Sequence, residues 1–274
     1  MLTLNSQGKT LNSTKPLIMG ILNITPDSFY QKSRVTAVSE AIDLIGKMVS
    51  DGASIIDIGG QSTRPGAIAI SAFEELDRIG SIIEAVVKTF PDLFISVDTY
   101  HNEVAKEVVK AGAHIINDIS GGQYDREMLN TIAALDVPYV VMHVNENKDE
   151  MHTVQAATSI LPVVHNFFTN TITAADHAGI HQLILDPGFG FSKTPAHNFE
   201  LISHLSSFAS FQKPILIGVS RKSTIYKTLG ITAEDALNGT TVLHTVALLQ
   251  GASILRVHDV KEANEVVTLC SYLQ

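Results

Sequence analysis

The sequence has little of several features that mark particular classes of protein. It contains one cysteine, Cys270, and no tryptophan, so an internal disulfide and a multi-cysteine metal cluster are excluded. Its 19 basic residues are outnumbered by 28 acidic ones, which gives a formal net charge of −9. Nucleic acids and anionic membranes bind extended basic faces, so neither is an expected partner. Any anion that the protein binds must be held by local groups.

Long apolar runs are also missing. No stretch approaches the roughly 20 apolar residues that a membrane-spanning helix needs. The start of the chain, residues 1–5, shows neither the basic segment nor the unbroken apolar segment of a secretory signal. Together with the single cysteine, which suits a reducing compartment, these absences predict a cytoplasmic protein without a membrane partner.

What the sequence does contain is a repeated alternation of two patterns. Eight short apolar runs rich in β-branched residues are typical of buried parallel strands. They lie near residues 17–22, 54–58, 93–97, 114–117, 138–142, 182–185, 214–219 and 253–257. Helical patterns lie between them, over residues 38–49, 73–90, 103–111, 160–178 and 235–250. Helix ends are marked by Gly52, Gly112, Gly179 and Gly251.

This alternation predicts an α/β fold, a single (β/α)8 TIM barrel formed by one domain over residues 1–274. Residues 1–15 are predicted to form a short β-hairpin that closes the bottom of the barrel, because turn residues at 6–9 separate two short apolar segments. An open, doubly wound sheet is the alternative. The unusually apolar helix over 235–250 is a candidate subunit interface.

Polar residues follow the apolar runs where the predicted strands end. In a barrel of this type the carboxyl ends of the strands meet at one face, so these residues predict one pocket. Asp98, Asn117 and Asp186 end the third, fourth and sixth strands and offer oxygen acceptors to a flat heterocycle that carries N–H donors. A single strand-end aspartate is more often a helix cap. Three together favour a binding site.

Basic residues follow the second, seventh and eighth strands. Arg64, Lys222, Arg256 and His258 converge in a chain of net negative charge, which indicates an anionic ligand such as a phosphate. Arg221, next to Lys222, is interpreted as a solvated loop charge.

Several motifs of cofactor chemistry are missing from the sequence. The glycine loop 188–193 lacks the last glycine of a dinucleotide fingerprint, and there is no Walker A sequence, no His-Glu-x-x-His and no nucleophile elbow. NAD, ATP and a metallohydrolase site are therefore not indicated. His143 is interpreted as a satisfied strand-end residue. Asn23, at the end of the first strand, offers an amide oxygen that suits Mg²⁺ together with phosphate oxygens and water.

Seven segments of the chain resemble the dihydropteroate synthases, enzymes of the pterin-binding barrel family. They are residues 19–29, 62–67, 95–99, 112–119, 185–191, 220–223 and 256–260. These segments span nearly the whole chain in the family's order. The fold that the resemblance implies agrees with the eightfold alternation of patterns.

The resemblance implies a transferase of folate biosynthesis. Such an enzyme condenses 6-hydroxymethyl-7,8-dihydropterin diphosphate with p-aminobenzoate, giving 7,8-dihydropteroate and diphosphate. Mg²⁺ as cofactor, a homodimer and competition by sulfonamides with p-aminobenzoate are implied as well. A dissociative substitution is expected, in which cations and Mg²⁺ compensate the leaving diphosphate and carboxylates favour positive charge on the pterin. The neutral arylamine needs no strong base.

The same resemblance implies roles for individual residues. The pterin set is Asp98, Asn117, Asp186 and Lys222, with Met142 lining the slot. The diphosphate set is Thr63, Arg64, Arg256 and His258, and the p-aminobenzoate set is Pro65, Phe191, Ser220 and Lys222. Asn23 is the expected ligand to Mg²⁺. The residues expected to carry the reaction are Arg64, Asp98, Asp186 and Lys222.

The chain departs from the family's pattern in the lid that is expected after the first strand. Residues 30–34 stand where many relatives have Asp-Gly-Gly, so an acidic lid group is replaced near Gln31. Lys32 and Arg34 are hypothesised to offset the lost contacts by drawing the diphosphate into the lid.

Two other places also differ. Gln61 stands where the family commonly has Glu, which removes one negative charge beside Thr63 and Arg64. The loop 144–151 lacks the usual Gly and Pro but keeps its length.

Two other functions remain open. A methyltetrahydrofolate methyltransferase shares the barrel and the pterin pocket but needs no diphosphate clamp, so Arg64 and His258 argue against it. A pterin-binding protein without catalysis, or a regulatory subunit, is motivated by the altered lid.

Overall fold

Ten strands and nine α-helices make up the part of the chain that the computed structural model describes, namely residues 1–24, 34–64 and 66–273. The strands are β1 (Leu2–Ser6), β2 (Lys9–Ser13), β3 (Leu17–Asn23), β4 (Ile55–Gly59), β5 (Phe94–Asp98), β6 (Ile115–Asp118), β7 (Tyr139–Met142), β8 (Leu183–Asp186), β9 (Leu216–Ile217) and β10 (Ile254–Val257). The helices are α1 (Arg34–Ser50), α2 (Ala72–Thr89), α3 (Asn102–Lys110), α4 (Met128–Leu135), α5 (Leu161–Ala178), α6 (Pro195–Ser203), α7 (Ser223–Leu229), α8 (Leu237–Leu249) and α9 (Val260–Cys270).

Strands β3 to β10 form one parallel sheet in the order β8-β7-β6-β5-β4-β3-β10-β9. The sheet is nearly closed, because Leu185 of β8 pairs in parallel with Ile215 and donates its N–H to the Pro214 carbonyl at 2.9 Å. Strand β9 covers only two residues of the predicted 214–219, and at its start Pro214 has no N–H to donate to the sheet. The predicted (β/α)8 barrel is therefore confirmed, and the alternative of an open sheet is wrong.

The hairpin β1–β2 closes the bottom of the barrel, as predicted. Leu4 packs into an apolar cluster inside the barrel, formed mainly by residues at the amino-terminal ends of the strands. Those strand residues are Leu17, Met19, Ile55, Phe94, Ile115, Val140, Ile184, Leu216 and Ile254. Hydrogen bonds also join the hairpin to a loop at the bottom of the barrel. The Asn5 N–H donates to Oε1 of Gln182, and Nε2 of Gln182 donates to the Asn5 carbonyl, each at 2.7 Å. With one end filled, the open end of the barrel is the carboxyl end of the strands.

The helices cover the outside of the sheet, as their periodic apolar residues predict. Helix α2 begins at Ala72 because the hydroxyl of Ser71 accepts the Glu74 N–H, and it buries Ile79, Ile83 and Val86 on one side. The predicted helix-ending glycines all have positive φ, which L-residues with a side chain adopt at a cost. In the described residues, no helix has the length and apolar character needed to cross a bilayer.

Candidate active site

The centre of the strand-end pocket is an arginine held by two aspartates. Arg256 of β10 donates from Nε to Asp57 Oδ2 at 2.6 Å and from Nη2 to Asp98 Oδ2 at 2.8 Å. The Asp57 side chain is fully buried, and those of Asp98 and Arg256 are 11% and 19% exposed. The positive guanidinium compensates the cost of burying two carboxylates. The planar guanidinium of Arg256 therefore fixes two acidic side chains from neighbouring strands.

Asp57 connects this ion pair to two further strands. It accepts hydrogen bonds from Ser96 Oγ at 2.6 Å and from Asn117 Nδ2 at 3.0 Å. The amide of Asn117 is thereby oriented, and its oxygen is the atom that would accept from a ligand. Sequence reasoning missed Asp57. Its signal was a charged residue inside the apolar run of β4, which requires a buried partner.

The two predicted pterin carboxylates, Asp98 and Asp186, are both buried. Burial raises the pKa of Asp98 to about 7, although the neighbouring Arg256 opposes the shift. Burial also raises the pKa of Asp186, while Lys222 and the Gly188 N–H, which donates to Asp186 at 2.7 Å, lower it. Since burial penalises their charged forms, both carboxylates are stabilised by any N–H donor or cation that enters the pocket.

Lys222 lies between the buried carboxylate of Asp186 and the ring of Phe191. Its ammonium donates to the Phe189 carbonyl and lies 4.6 Å from the centre of the Phe191 ring. Burial lowers the pKa of Lys222 to about 8, against the opposing effect of Asp186. The ring contact is a cation–π interaction, which favours a protonated amine above an aromatic face.

Met142 and Phe191 lie in the same small apolar cluster at the top of the barrel. Met142, at the end of β7, is 3% exposed and packs with Tyr100, while Phe191 is partly buried against this cluster. His152 stacks on Phe191, with the ring centres 5.9 Å apart and the planes 19° apart. The predicted slot residue and the predicted p-aminobenzoate residue are thus brought together.

A second set of contacts joins the loops after β9 and β10. His258 Nδ1 lies 3.1 Å from Ser220 Oγ, and the His258 N–H donates to the same oxygen at 3.2 Å. Arg221 donates from Nε and Nη2 to the two carboxylate oxygens of Asp259, each at 2.8 Å. The interpretation of Arg221 as a solvated loop charge is wrong, because a bidentate ion pair fixes it and its side chain is 25% exposed.

Thr63 and Arg64 lie apart from the buried centre, on the loop after β4. They line an outer cavity of about 320 Å³ between this loop and the loop after β7, from which Lys148 and His152 face them. Arg64 is exposed, whereas Arg256 is fixed among carboxylates. The predicted diphosphate set is therefore divided between an inner and an outer position. Lys148, whose ammonium lies 4.1 Å from the centre of the Tyr100 ring, was missed by sequence reasoning.

The side chain of Gln61 holds this loop together by hydrogen bonds to its backbone. Its amide nitrogen donates to the carbonyls of Ser62 at 2.8 Å and Ile68 at 3.2 Å, and its oxygen accepts the Ile70 N–H at 2.8 Å. A carboxylate could not make the two donated bonds. Replacing the family's common Glu therefore does more than remove a charge.

Lys193, which sequence reasoning did not single out, contacts His143 and the carbonyl of Phe191. Lys193 is 7% exposed, and its Nζ lies 2.9 Å from Nδ1 of His143, which is 2% exposed. His143 is thus partnered within the protein, as interpreted. The glycine loop 188–193 gave no sign that its lysine turns inward.

Some predictions concern residues outside the described part of the chain. These are Pro65, Gln31 and Lys32. The side chain of Arg34 is also outside the description, so the hypothesis about the lid stays a prediction.

Asn23, the expected ligand to Mg²⁺, is the last residue of β3. Its side chain is exposed at the end of β3, where a Cβ added to Gly59 would lie 3.6 Å from its Oδ1 and 3.4 Å from Asp98 Cβ. The described residues contain no group of three or more His, Cys, Asp or Glu side chains that would hold a metal alone. A lone amide oxygen fits an ion that arrives with phosphate oxygens and keeps several waters.

Fold and site together define a (β/α)8-barrel protein with buried carboxylates, an amide and cations at the carboxyl ends of its strands. A family model described as "Pterin binding enzyme" matches residues 19–258. The chain is 40% identical to the dihydropteroate synthase of Escherichia coli (strain K12) over 262 residues, which are 95% of this chain and 92% of that one.

Solved structures agree with this assignment. A Yersinia pestis dihydropteroate synthase with a pterine-sulfa conjugate is 37% identical, with a TM-score of 0.88, and 99% of each chain is covered. A Xanthomonas albilineans dihydropteroate synthase with 4-aminobenzoic acid is also 37% identical, with a TM-score of 0.90 and coverage of 99% of this chain and 98% of that one. The chain belongs to the pterin-binding enzyme family. The predicted resemblance to the dihydropteroate synthases is confirmed, and with it the expected enzyme class, a transferase.

Proposed function

We propose that this protein condenses 6-hydroxymethyl-7,8-dihydropterin diphosphate with p-aminobenzoate to give 7,8-dihydropteroate and diphosphate. The observation that carries the proposal is the convergence of two buried aspartates, an oriented asparagine amide and Lys222 at one end of the barrel. Relatives that share this fold bind a pterine-sulfa conjugate and 4-aminobenzoic acid. The two ligands correspond to the two substrates of the proposed reaction.

The acidic groups suit the pterin ring. Asp98 and Asp186 would accept its N–H and amino donors, and the oxygen of Asn117 would accept another. Because burial makes these carboxylates costly to ionise, they interact strongly with positive charge on the ring. Such charge develops when the diphosphate leaves before the amine attacks, so these groups favour the dissociative path.

The leaving diphosphate needs compensating charge. Arg64, Lys148 and the other cations near the strand ends would supply it as the carbon–oxygen bond breaks. Mg²⁺ held by Asn23 and the diphosphate oxygens would, when bound, neutralise further negative charge on the leaving group. His258, whose Nδ1 contacts Ser220, lies where the loops after β9 and β10 meet and would donate to the departing oxygens.

The arylamine would lie against Phe191. Lys222 stands above that ring and beside the acidic pocket, so it separates the two substrates' sites and contacts both. Ser220 and Pro65 would border the same site. The amine is neutral at pH 7 and attacks without a general base, so positioning carries much of the rate.

A homodimer is part of the proposal. Helix α8 lies between α7 and α9 and exposes apolar side chains, with Val242 54% and Leu249 49% exposed. Leu229 of α7 and Leu269 of α9 are 54% and 68% exposed. Exposed apolar residues on neighbouring helices favour an interface between copies. Cytoplasmic residence stays a prediction.

The test is turnover by the purified protein with Mg²⁺, the pterin diphosphate and p-aminobenzoate, followed by mass detection of dihydropteroate. Lys222→Ala is expected to lower kcat/KM by about 100-fold, as loss of a preorganised charge does in other sites. Lys227→Ala, at an exposed lysine of α7, is the matched control. A sulfonamide is expected to compete with p-aminobenzoate, and sedimentation of the same sample is expected to show a dimer.

Other outcomes would identify the alternatives. Pterin binding without product would favour the non-catalytic binding protein. Methyl transfer from methyltetrahydrofolate to a corrinoid or thiol would favour the methyltransferase. A monomer at micromolar concentration would overturn the homodimer alone.

A further inference from the structure

Lys193 is a buried lysine at the end of the loop that follows β8. The residue is 7% exposed, although it lies only three residues after Gly190 in a loop at the open end of the barrel. Buried ammonium groups need a full set of acceptors, because removal from water costs several kcal/mol when it is uncompensated. The contacts of Lys193 therefore show what holds it inward.

The ammonium of Lys193 has three close acceptors for its three protons. They are Nδ1 of His143 at 2.9 Å, the carbonyl of Gly188 at 2.9 Å and the carbonyl of Phe191 at 3.0 Å. The His143 carbonyl is a fourth, at 3.3 Å. Burial lowers the pKa of His143 to about 2, so its imidazole is neutral, and burial lowers the pKa of Lys193 to about 7 against the opposing effect of Asp186. In the tautomer without a proton on Nδ1, His143 is an acceptor for the protonated lysine, fixed just after β7.

The loop held in this way runs between His143 and Lys222. Gly188 has a φ of +71°, and a Cβ there would lie 2.0 Å from the His143 carbonyl oxygen. Gly190 has a φ of +87°, and a Cβ there would lie 2.9 Å from Lys222 Cδ. The loop is therefore pressed against β7 on one side and against Lys222 on the other. Small shifts of the loop would move both neighbours.

This loop carries two of the groups that contact Lys222. The Phe189 carbonyl accepts from the Lys222 ammonium, and the Phe191 ring lies beneath it. Lys193 accordingly fixes the residues on both sides of Phe189, through the carbonyls of Gly188 and Phe191. No contact of Lys193 with a substrate is needed for it to influence where the aromatic face stands.

We propose that Lys193, oriented by His143, is a positioning residue for the p-aminobenzoate site. Lys193 fixes the loop 188–193 so that Phe191 and the Phe189 carbonyl stand at the correct distance from Lys222. The inference rests on the proposed function, since it assigns the specificity of that site to a residue beneath it. It places the larger effect on the arylamine, because the pterin side is held mainly by Arg256 and the strands and shares with this loop the Gly188 N–H bond to Asp186 and the contacts of Lys222.

The experiment compares the kinetics of four single variants and one double variant with those of the wild-type protein. Lys193→Met keeps the length of the side chain and removes its donors. His143→Leu removes the acceptor, whereas His143→Asn keeps an oxygen near the position of Nδ1. Lys261→Met, at an exposed lysine of α9, is the matched control.

Lys193→Met and His143→Leu are each expected to raise the KM for p-aminobenzoate by roughly 10-fold, the loss typical of charge-assisted hydrogen bonds. The KM for the pterin diphosphate is expected to rise by a smaller factor, since the loop meets the pterin side only through Lys222 and the Gly188 N–H that donates to Asp186. His143→Asn should restore most of the p-aminobenzoate KM. The double variant Lys193→Met/His143→Leu should be no worse than Lys193→Met alone, because the His143 side chain acts only through Lys193 in this proposal.

An unchanged KM for p-aminobenzoate, or equal rises for both substrates, would overturn the proposal. If Lys193→Met does not fold, the contrast between His143→Leu and His143→Asn gives the same decision. If the wild-type protein shows no turnover, the proposed function fails by itself. Calorimetric binding of p-aminobenzoate in the presence of a pterin and diphosphate then tests the positioning role, with the same order of variants expected.

Discussion

The buried centre of the pocket and its outer mouth hold their charges in opposite ways. In the centre (Asp57, Asp98, Asn117 and Arg256) every charged group lies on a strand and is paired with another inside the barrel. In the mouth (the loop 61–70 and the loop 144–152) Arg64 is exposed, and the loop is held by the uncharged amide of Gln61.

The difference predicts that the two regions contribute differently to stability and to ligand binding. A charge pair inside a rigid barrel cannot relax when one member is lost, so under the proposed function the centre would couple recognition of the pterin to the stability of the fold. Exposed charges on a loop are screened and solvated, so the mouth would hold a diphosphate with little effect on stability. Substitutions in the centre should therefore lower the stability of the fold, whereas substitutions in the mouth should lower the rate of the reaction.

The largest effect is expected from Arg256→Leu. It leaves Asp57 and Asp98 buried without their cation, which typically costs about 3–5 kcal/mol of unfolding free energy. Arg64→Leu, the matched change in the mouth, should alter stability by less than about 0.5 kcal/mol. Urea unfolding at pH 7 measures both. Similar costs for the two variants would remove the distinction between centre and mouth.

Glu75 of α2 lies between the two regions and predicts a pH dependence. Its Oε2 accepts from the Thr99 hydroxyl at 3.1 Å, and its Oε1 has no hydrogen-bond partner among the described residues. Burial raises the pKa of Glu75 from 4.5 to about 8. The folded protein therefore holds this proton more tightly than the unfolded chain, so the group's contribution to stability is complete below pH 4.5 and is lost as the pH rises through about 8.

Glu75→Gln should remove this loss. Between pH 5 and pH 9, ionisation of Glu75 is expected to lower the unfolding free energy of the wild-type protein by on the order of 1–3 kcal/mol. The unfolding free energy of Glu75→Gln should lack this contribution to the pH dependence. Urea unfolding at the two pH values measures the difference, with Glu84→Gln at an exposed position of the same helix as the control. Parallel pH profiles for the wild type and Glu75→Gln would show that Glu75 ionises freely in the fold.

The centre and the mouth also differ in how far the sequence predicts them. The barrel and the positions of Asp98, Asn117 and Asp186 follow from apolar runs that end in polar residues, because backbone geometry brings parallel strand ends together. Asp57 was not predicted as a site residue because it lies inside such an apolar run. A charge within an apolar strand, opposite an arginine 199 residues away, becomes visible only when the barrel closes.

Loop contacts were predictable to a smaller extent. The partner of Arg221 is Asp259, which follows another strand, and nothing in the local pattern of either residue indicates the pair. Lys193 lies among glycines and aromatics that resemble an exposed turn, yet carbonyl oxygens and one imidazole draw it inward. Such contacts depend on the paths of two loops at once, which local propensity does not determine.

The smallest effect is expected at Gln61, and it sharpens the comparison within the mouth. Gln61→Met removes the hydrogen bonds that fix the loop carrying Thr63 and Arg64, so kcat/KM for the pterin diphosphate should fall by roughly 3- to 10-fold, or about 1 kcal/mol. Gln61→Glu keeps the bond from the Ile70 N–H but loses both donated bonds, and should fall between Gln61→Met and the wild type. Steady-state kinetics, with thermal unfolding as a check on stability, measure both. Full activity in Gln61→Met would mean that Arg64 acts from a loop that does not need the hydrogen bonds of Gln61.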